Sequence, residues 1–422
     1  MFRLFCKIAI GVIVSMFLFP FSLKFLPSLN TKMILAALGA LLYCLNLVGR
    51  KGIVITVGLL GAACIAGLFS YICYYSTQYN HTSDYAYATY FVTFLVWMGG
   101  AYMVCKVIKW MHGEANLKYL TYYLAGVCAA QCFLALVIDS VAPVKRVIDA
   151  YIEQGQEFFQ EVNRLYGIGA ALDPAGVRFA IVLILIVAVL SYEPAVRNSK
   201  KVIAQLLFCY FVIVVIGNMI SRTTSVGLML SSVLAILGTQ AISLTIKNKF
   251  FKVYTIFGVF LLVAIVVSTY LYNVDKGFHD DLRYGFEGFF NWLETGTWST
   301  SSTDKLNSQM WIWPTDTKTW IIGSGLFDGF IYSTDIGYCR FILYCGLVGF
   351  TAFALLQIYN GLYFASREKE YRLLFFFLIA FSFIIWIKVA TDIFQFYALF
   401  YCLDSIKSSF QNENHLQHRS HT

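Results

Sequence analysis

The sequence predicts an all-α protein, a polytopic helical bundle embedded in a membrane, on three observations. Of its 422 residues 59% are hydrophobic and only 13% are charged, about half the charge of an average soluble protein. Its mean hydropathy is +0.69. Its apolar residues come in repeated runs of about 20, the length a helix needs to cross a hydrocarbon core of about 30 Å. A water-soluble domain cannot cover its surface with so little charge, and a disordered chain cannot carry so many apolar groups. The alternating ten-residue pattern of an outer-membrane barrel is absent. The net charge of +8 is therefore no sign of a nucleic-acid partner; its placement about the membrane is what informs.

The apolar runs place about twelve spans, at 5–26, 33–49, 52–75, 85–105, 119–138, 177–192, 202–220, 226–246, 253–272, 338–364, 373–387 and 390–406. The first is too long for the apolar core of a signal peptide and lacks a small-residue cleavage site, so it is expected to stay as an anchor. With the N-terminus cytoplasmic, 18 of the 31 Lys and Arg fall on the inner side beside only 6 of the 23 Asp and Glu. The opposite orientation puts clusters such as Lys247-Asn248-Lys249 outside, against the positive-inside bias. Both termini are expected inside, 407–422 as a disordered cytoplasmic tail, and 1–422 as a single integral membrane domain. The inner loops are too short to hold a nucleotide-binding domain. Two outer segments, 139–176 and 273–337, are long, and connections of that length usually carry function. All 11 cysteines lie in or beside spans without a disulfide framework, and Cys128 and Cys132 read as packing residues.

In the first long outer segment, 144–165 shows apolar residues at helical spacing, with Asp149, Glu153, Glu157 and Glu161 on another face and Pro143 suited to a helix start. An amphipathic helix over 144–165 is expected, its acidic stripe a solvated face. Arg164 and Arg178 then flank a Gly/Pro turn where the chain re-enters the membrane. Ser221-Arg222-Thr223-Thr224-Ser225 forms nearly the whole connection between two spans. An arginine between apolar helices is costly and usually faces an internal cavity and a counter-charge; the alternative is a side chain that snorkels to lipid headgroups.

The second long segment begins with Asp280-Asp281, expected as a helix N-cap. After Arg283 and an amphipathic stretch comes a Ser/Thr run, in which Ser302 or Thr303 is placed to cap a helix near Asp304. Trp311, Trp313 and Trp320 read as interfacial anchors, with a sugar-stacking platform as the alternative. Gly323-Ser324-Gly325 is a turn whose backbone N–H groups suit an anion. Asp335 and Arg340 stand at the start of the next span, on which Gly346 and Gly349 lie, and Lys388 and Asp392 occupy the last outer turn. Asn80-His81-Thr82 matches a glycosylation sequon, and the spacing of His415, His418 and His421 is that of a metal-binding tract, outweighed by its place in the tail.

Arg164, Arg178, Arg222, Arg283, Arg340 and Lys388 thus collect on the outer face of an apolar core. Arginine forks match phosphate oxygens, and a low dielectric strengthens each contact, so this set suits a membrane-embedded diphosphate. Asp335 is the best-placed carboxylate to take a proton from an attacking sugar hydroxyl. No HExxH or similar cluster stands in the outer loops, so neither a metal nor another cofactor is expected.

At these residues the chain resembles the bacterial O-antigen and exopolysaccharide polymerase family, of the superfamily that also holds the O-antigen ligases. The matching pieces are Arg164-x-x-Gly167 with Asp173-Pro174, then Ser221-Arg222-Thr223 opening a span. Next come Gly323-Ser324-Gly325, Thr334-Asp335-x-Gly337-Tyr338 and Gly346-x-x-Gly349, and finally the penultimate span ending at Lys388 before an aromatic-rich last span. The resemblance covers about the last 260 residues, and its specificity lies in the order of short motifs. It implies a C-type glycosyltransferase-like fold in the bacterial inner membrane. It implies transfer of a growing glycan from undecaprenyl diphosphate to the next lipid-linked repeat unit, without metal or nucleotide sugar, beside a flippase and a chain-length regulator. By position, Arg164 and Arg222 match the family's functional arginines. The ligases carry His-Asn where this chain has Thr334-Asp335, which favours polymerase over ligase.

Two other readings compete, one from a different class and one another C-type glycosyltransferase. A transporter or lipid flippase usually shows repeats and broken helices with mid-membrane charges; here no repeat stands out, mid-span charges are nearly absent and the charged groups crowd the outer loops. A transferase using a polyprenyl-phosphate monosaccharide needs acidic residues in the first outer loop, which reads Pro27-Ser28-Leu29-Asn30-Thr31-Lys32.

Overall fold

The computed structural model describes residues 2–49, 56–154, 164–239 and 248–420, and within them each predicted span overlaps a helix along part of its length. Among the described residues, seven helices are long and apolar enough to cross a membrane: Val57–Tyr79, Tyr90–His112, Leu117–Ser140, Leu172–Tyr192, Lys200–Ile220, Phe250–Val274 and Gly337–Arg367. The protein is a multi-pass helical membrane bundle. Polar residues start several of these helices: Thr56 Oγ1 accepts from Leu59 N–H, and Ser199 Oγ from Val202 N–H. The chain passes back and forth between two compact units, one of 1–31, 118–300 and 368–381, the other of 32–117, 301–367 and 382–422.

The first unit is built around helix Leu172–Tyr192. Its sequence is apolar on all sides, so it has no solvent face to spare and must be surrounded. Helices Lys200–Ile220 and Thr224–Thr239 pack on it. The second of these comes so near that a Cβ at Gly227 would lie 2.2 Å from Ala180 Cα. Helix Phe250–Val274 is equally apolar but only 6% of its apolar window is buried, against 89% for Leu172–Tyr192. The first is a lipid-facing helix and the second an internal one. A small antiparallel sheet completes the unit: Ser22–Leu23 pairs with Leu26–Asn30 on one side and Ile152–Glu153 on the other.

In the second unit, helices Val57–Tyr79 and Gly337–Arg367 pack together, as do Tyr90–His112 and Phe394–Ser420. An aromatic core ties them, with Phe69 stacked on Phe353 at 4.7 Å and Phe353 on Trp386 at 5.3 Å. Helix Gly337–Arg367 is interrupted at Gly346, whose φ of 65° no ordinary helical residue adopts. A Cβ there would lie 2.2 Å from Ile321 O, so glycine admits the 321–325 segment against the break.

Several sequence expectations need correction. The first helix ends at Leu18, not 26: Pro20 disfavours helix at the residue before it, and the chain turns into the hairpin. The amphipathic helix has Pro143 in its first turn, as expected, but runs only from Ala142 to Tyr151. Ile152 and Glu153 join the sheet, while Glu157 and Glu161 lie outside the described residues. Asp280 and Asp281 sit within helix Lys276–Gly285, whose cap is Asp275, accepting from Phe278 N–H at 2.7 Å. The helix expected near Asp304 begins at Ser301, ahead of Ser302 and Thr303. The last helix continues to Ser420, through the stretch expected to be disordered and past His415 and His418.

The contact at Gly227 makes a test. Gly227→Leu forces Leu172–Tyr192 and Thr224–Thr239 apart, and overpacking of this kind costs about 1–3 kcal/mol or more. Thermal unfolding in detergent should fall by several degrees; an unchanged midpoint would contradict the packing.

Candidate functional site

The first unit gathers a polar site where three helix ends meet. Helices Lys200–Ile220 and Thr224–Thr239 are joined by a turn of only three residues, Ser221-Arg222-Thr223. Backbone bonds from Thr224 N–H to Ser221 O and Ser225 N–H to Arg222 O, each 3.0 Å, hold it tightly. Asp173, at the start of helix Leu172–Tyr192, fixes the turn from the side: one carboxylate oxygen accepts from Ser221 Oγ at 3.2 Å and from Thr223 Oγ1. A Cβ on Gly176 would sit 2.5 Å from Ser221 Oγ, so glycine is what lets the turn seat there.

Arg222, at the apex, is only 11% exposed and pairs with Glu287. This is the counter-charge expected for an arginine held among apolar helices. The Arg222 guanidinium also lies 4.0 Å from the Tyr284 ring centroid, and that of Arg164 lies 4.3 Å from the same ring. One phenol ring therefore serves two guanidinium groups, each within cation–π range. Tyr284 is brought there because Gly285, next to it, packs on the end of helix Lys200–Ile220; a Cβ at Gly285 would lie 3.0 Å from the Asn218 carbonyl carbon. Arg164 and Arg222, 58 positions apart, are brought together as expected, with the motif residues Asp173, Ser221 and Thr223 around them.

The remaining predicted residues are placed differently. Arg178 lies 5.7 Å from the Phe19 ring and lines a separate cavity. Arg283 points from its helix to Glu294, at 2.7 Å, and over Phe290; the two partners are 41% and 49% exposed. That pairing holds the Glu294 carboxyl below the usual range, and it makes Arg283 a surface residue and not part of the Tyr284 site.

Arg340, Lys388 and Asp335 belong to the second unit. Arg340 donates to Phe327 O at 2.9 Å with its guanidinium 4.0 Å from that ring. Asp84 accepts from the N–H groups of Phe327 and Asp328, at 2.5 and 2.6 Å. Arg340 and Asp84 thus clamp one loop between them. Asp335 is exposed, whereas its neighbour Thr334 is buried and donates to Met310 O at 2.5 Å. Lys388 is half-buried in the turn that ends with Asp392, which caps the last helix at Phe394 N–H.

The Gly323-Ser324-Gly325 turn is not an anion cradle. Ser324 N–H donates to Leu343 O at 2.8 Å, Gly325 N–H to Tyr344 O at 3.0 Å, and Gly323 N–H to Thr319 O at 3.0 Å. The carbonyls of Gly323 and Gly325 accept from Asn80 Nδ2 and Thr82 Oγ1. The sequon side chains are thus part of this packing. Trp311, Trp313 and Trp320 form a continuous row, with centroids 5.8 and 5.7 Å apart.

Sequence reasoning missed Tyr284 and Glu287. The signal was slight: an aromatic and an acid three residues apart around a helix break, in a loop already rich in both. No family model, curated protein or solved structure matches the chain.

Asp281, one turn before Tyr284, carries a pH-dependent cost. Burial pushes its carboxyl up to about 6, and Asp139, Asp280 and Asp275 add to the shift. A folded-state pKa above the unfolded value of 3.8 means the ionised group destabilises the fold above about pH 6, and that the cost disappears below about pH 4. Asp281→Asn should therefore unfold at a higher temperature than the parent at pH 8, with the difference closing as the pH falls to 4. A gap that does not vary with pH would refute this origin.

Proposed function

We propose that the protein is a glycosyltransferase that polymerises lipid-linked oligosaccharide repeat units at the outer face of the bacterial inner membrane, with about twelve spans and both termini cytoplasmic. The observation that carries the reading is the pair Arg164 and Arg222 on one Tyr284 ring, with Glu287 as exchangeable counter-charge. Two guanidinium groups on one ring, with Glu287 paired to one of them, make a site for a doubly charged anion. A diphosphate can displace Glu287 from Arg222 and take both forks. Bound there, the undecaprenyl diphosphate of the donor is held with its leaving oxygen stabilised, because the arginines are positioned before the bond breaks.

In the reaction an acceptor hydroxyl attacks the donor's anomeric carbon. The carbon–oxygen bond to the diphosphate breaks, undecaprenyl diphosphate leaves with the electron pair, and the hydroxyl proton passes to a carboxylate. Asp335, an exposed acid, is the acceptor-side candidate for that proton. Arg178 and Arg283 have other partners within the first unit, and Arg340 and Lys388 belong to the second. The reaction draws on no nucleotide sugar and no metal.

The glycan made by a strain lacking this gene is the first test. Loss of long polymer with single repeat units retained on their acceptor supports polymerisation. Polymer stranded on undecaprenyl diphosphate indicates a ligase, and absence of repeat units from the outer face a flippase. Arg222→Ala should abolish long chains, a loss on the order of 10²-fold or more in rate, while the protein remains in the membrane. Arg222→Lys, which keeps the charge but not the fork, should leave short chains. Normal chain lengths from Arg222→Ala would sink the assignment.

A further inference from the structure

The second unit buries a polar cluster that the polymerase reading does not use. Gln357 and Asn360 on helix Gly337–Arg367, and Tyr397 on helix Phe394–Ser420, are each 0% exposed. Gln357 Oε1 and Nε2, Asn360 Nδ2 and Tyr397 Oη have no hydrogen-bond partner among the described residues. Buried amides and phenols are as a rule satisfied, because a polar group taken out of water without a replacement bond is costly. Four such atoms, shared by three residues on two helices, are more than one stray side chain.

Neighbouring hydrogen bonds place these groups opposite one another. Tyr401 donates to Asn360 Oδ1 at 2.8 Å, and Tyr363 donates to Asp404 Oδ2 at 2.9 Å. The two pairs advance together along both helices, so the helices run parallel. Gln357 stands one turn before Asn360, and Tyr397 one turn before Tyr401, each on the face of its bonded neighbour. An amide and a phenol thus share one level without bonding to each other. Buried aromatic rings close the cluster at both ends. Phe353, one turn before Gln357, stacks on Phe69 and on Trp386. Phe364, one turn after Asn360, lies 4.7 Å from the Tyr401 ring and 6.2 Å from that of Tyr397.

The chemistry of these groups selects what they bind. Arg367 and Asp404, the charged pair one turn further on, neutralise each other at 3.1 Å. An ion beside Gln357 would therefore find no counter-charge, and an unanswered buried ion is far costlier than a buried dipole. A cation would also meet the N–H groups of two amides, and an anion the Gln357 carbonyl oxygen. A neutral molecule that donates and accepts at once satisfies every atom of the set. Water does so, and it spans polar groups that stand beyond direct reach of each other.

We propose that Gln357, Asn360 and Tyr397 form an internal water-binding site in the second unit, which joins helices Gly337–Arg367 and Phe394–Ser420 through bound water. A buried water makes about three hydrogen bonds, so roughly two waters answer this set. The site stands apart from the chemistry proposed for the first unit and does not depend on it.

The test is radiolytic footprinting of the full chain in lipid nanodiscs. A brief X-ray pulse makes hydroxyl radicals from water, so a buried ring is oxidised where water stands beside it, and mass spectrometry locates the added oxygen. Tyr397 should be oxidised at least tenfold faster than Tyr344, an equally buried tyrosine whose hydroxyl donates to Asp84 O. Gln357→Leu removes two of the polar atoms and should cut Tyr397 oxidation fivefold or more. Replacing sodium chloride by potassium sulfate should leave the ratio of Tyr397 to Tyr344 unchanged. A Tyr397 rate no higher than that of Tyr344 in the parent chain overturns the proposal whether or not the variant folds. Parent-level oxidation in a folded Gln357→Leu overturns it too, since the water would then not be held by these groups. A ratio that changes with the salt replaces water with an ion and overturns it as well.

Discussion

A guanidinium group enclosed by apolar helices is tolerated only if its charge is answered within a few ångströms, and in this protein Arg222 sets that condition for the first unit. Glu287 answers the charge, so the segment after helix Lys276–Gly285 must return to the turn at 221–223. Tyr284 supplies a ring face, so the C-terminal end of that helix must lie against the end of Lys200–Ile220, which Gly285 permits. Asp173 fixes the turn itself through two hydroxyls, so the start of the central helix is brought to the same place. A short polar turn thus fixes four elements that apolar packing alone would leave free to slide.

The same logic explains how the glycines are used. Gly176, Gly227 and Gly285 each stand where a Cβ would overlap or press a neighbouring element, at the turn, along the helix pair and at the helix end. In a membrane, where lipid tails are as apolar as side chains, close backbone approach is one of the few sources of helix association. Gly11 and Gly126 stand apart from this set because nothing approaches them.

Helix positions were legible in the sequence because a span needs length and apolarity, both of which are local. Which face each helix turns to lipid was not. Leu172–Tyr192 and Phe250–Val274 read alike as continuous apolar runs, yet the first is enclosed and the second is bare. The difference is set by which helices surround each one. In the site, Arg222 and Arg164 were legible because a charge beside a span is conspicuous. Tyr284 and Glu287 were not, since a tyrosine and a glutamate in a polar loop gain meaning only from a partner 62 and 65 positions away. Arg340 shows the converse. It stands at a span entrance like Arg222, but its guanidinium is spent on a loop carbonyl and a phenyl ring.

The break at Gly346 bears on the choice between enzyme and transporter. Interrupted helices in transporters leave unwound carbonyls and helix ends facing a central cavity, where they bind the substrate or a coupling ion. Here the interruption is filled by protein backbone. Leu343 O and Tyr344 O accept from the N–H groups of Ser324 and Gly325, and Gly346 is needed only so that Ile321 can come close. Backbone groups satisfied in this way are closed to an ion, so the break locks a loop onto a helix and gives no support to transport. The N–H groups of Gly323, Ser324 and Gly325 that sequence alone offered to an anion are consumed by the carbonyls of Thr319, Leu343 and Tyr344. In the first unit the two guanidinium groups on the Tyr284 ring, with Glu287 paired to Arg222, are the arrangement on which the proposed diphosphate site rests.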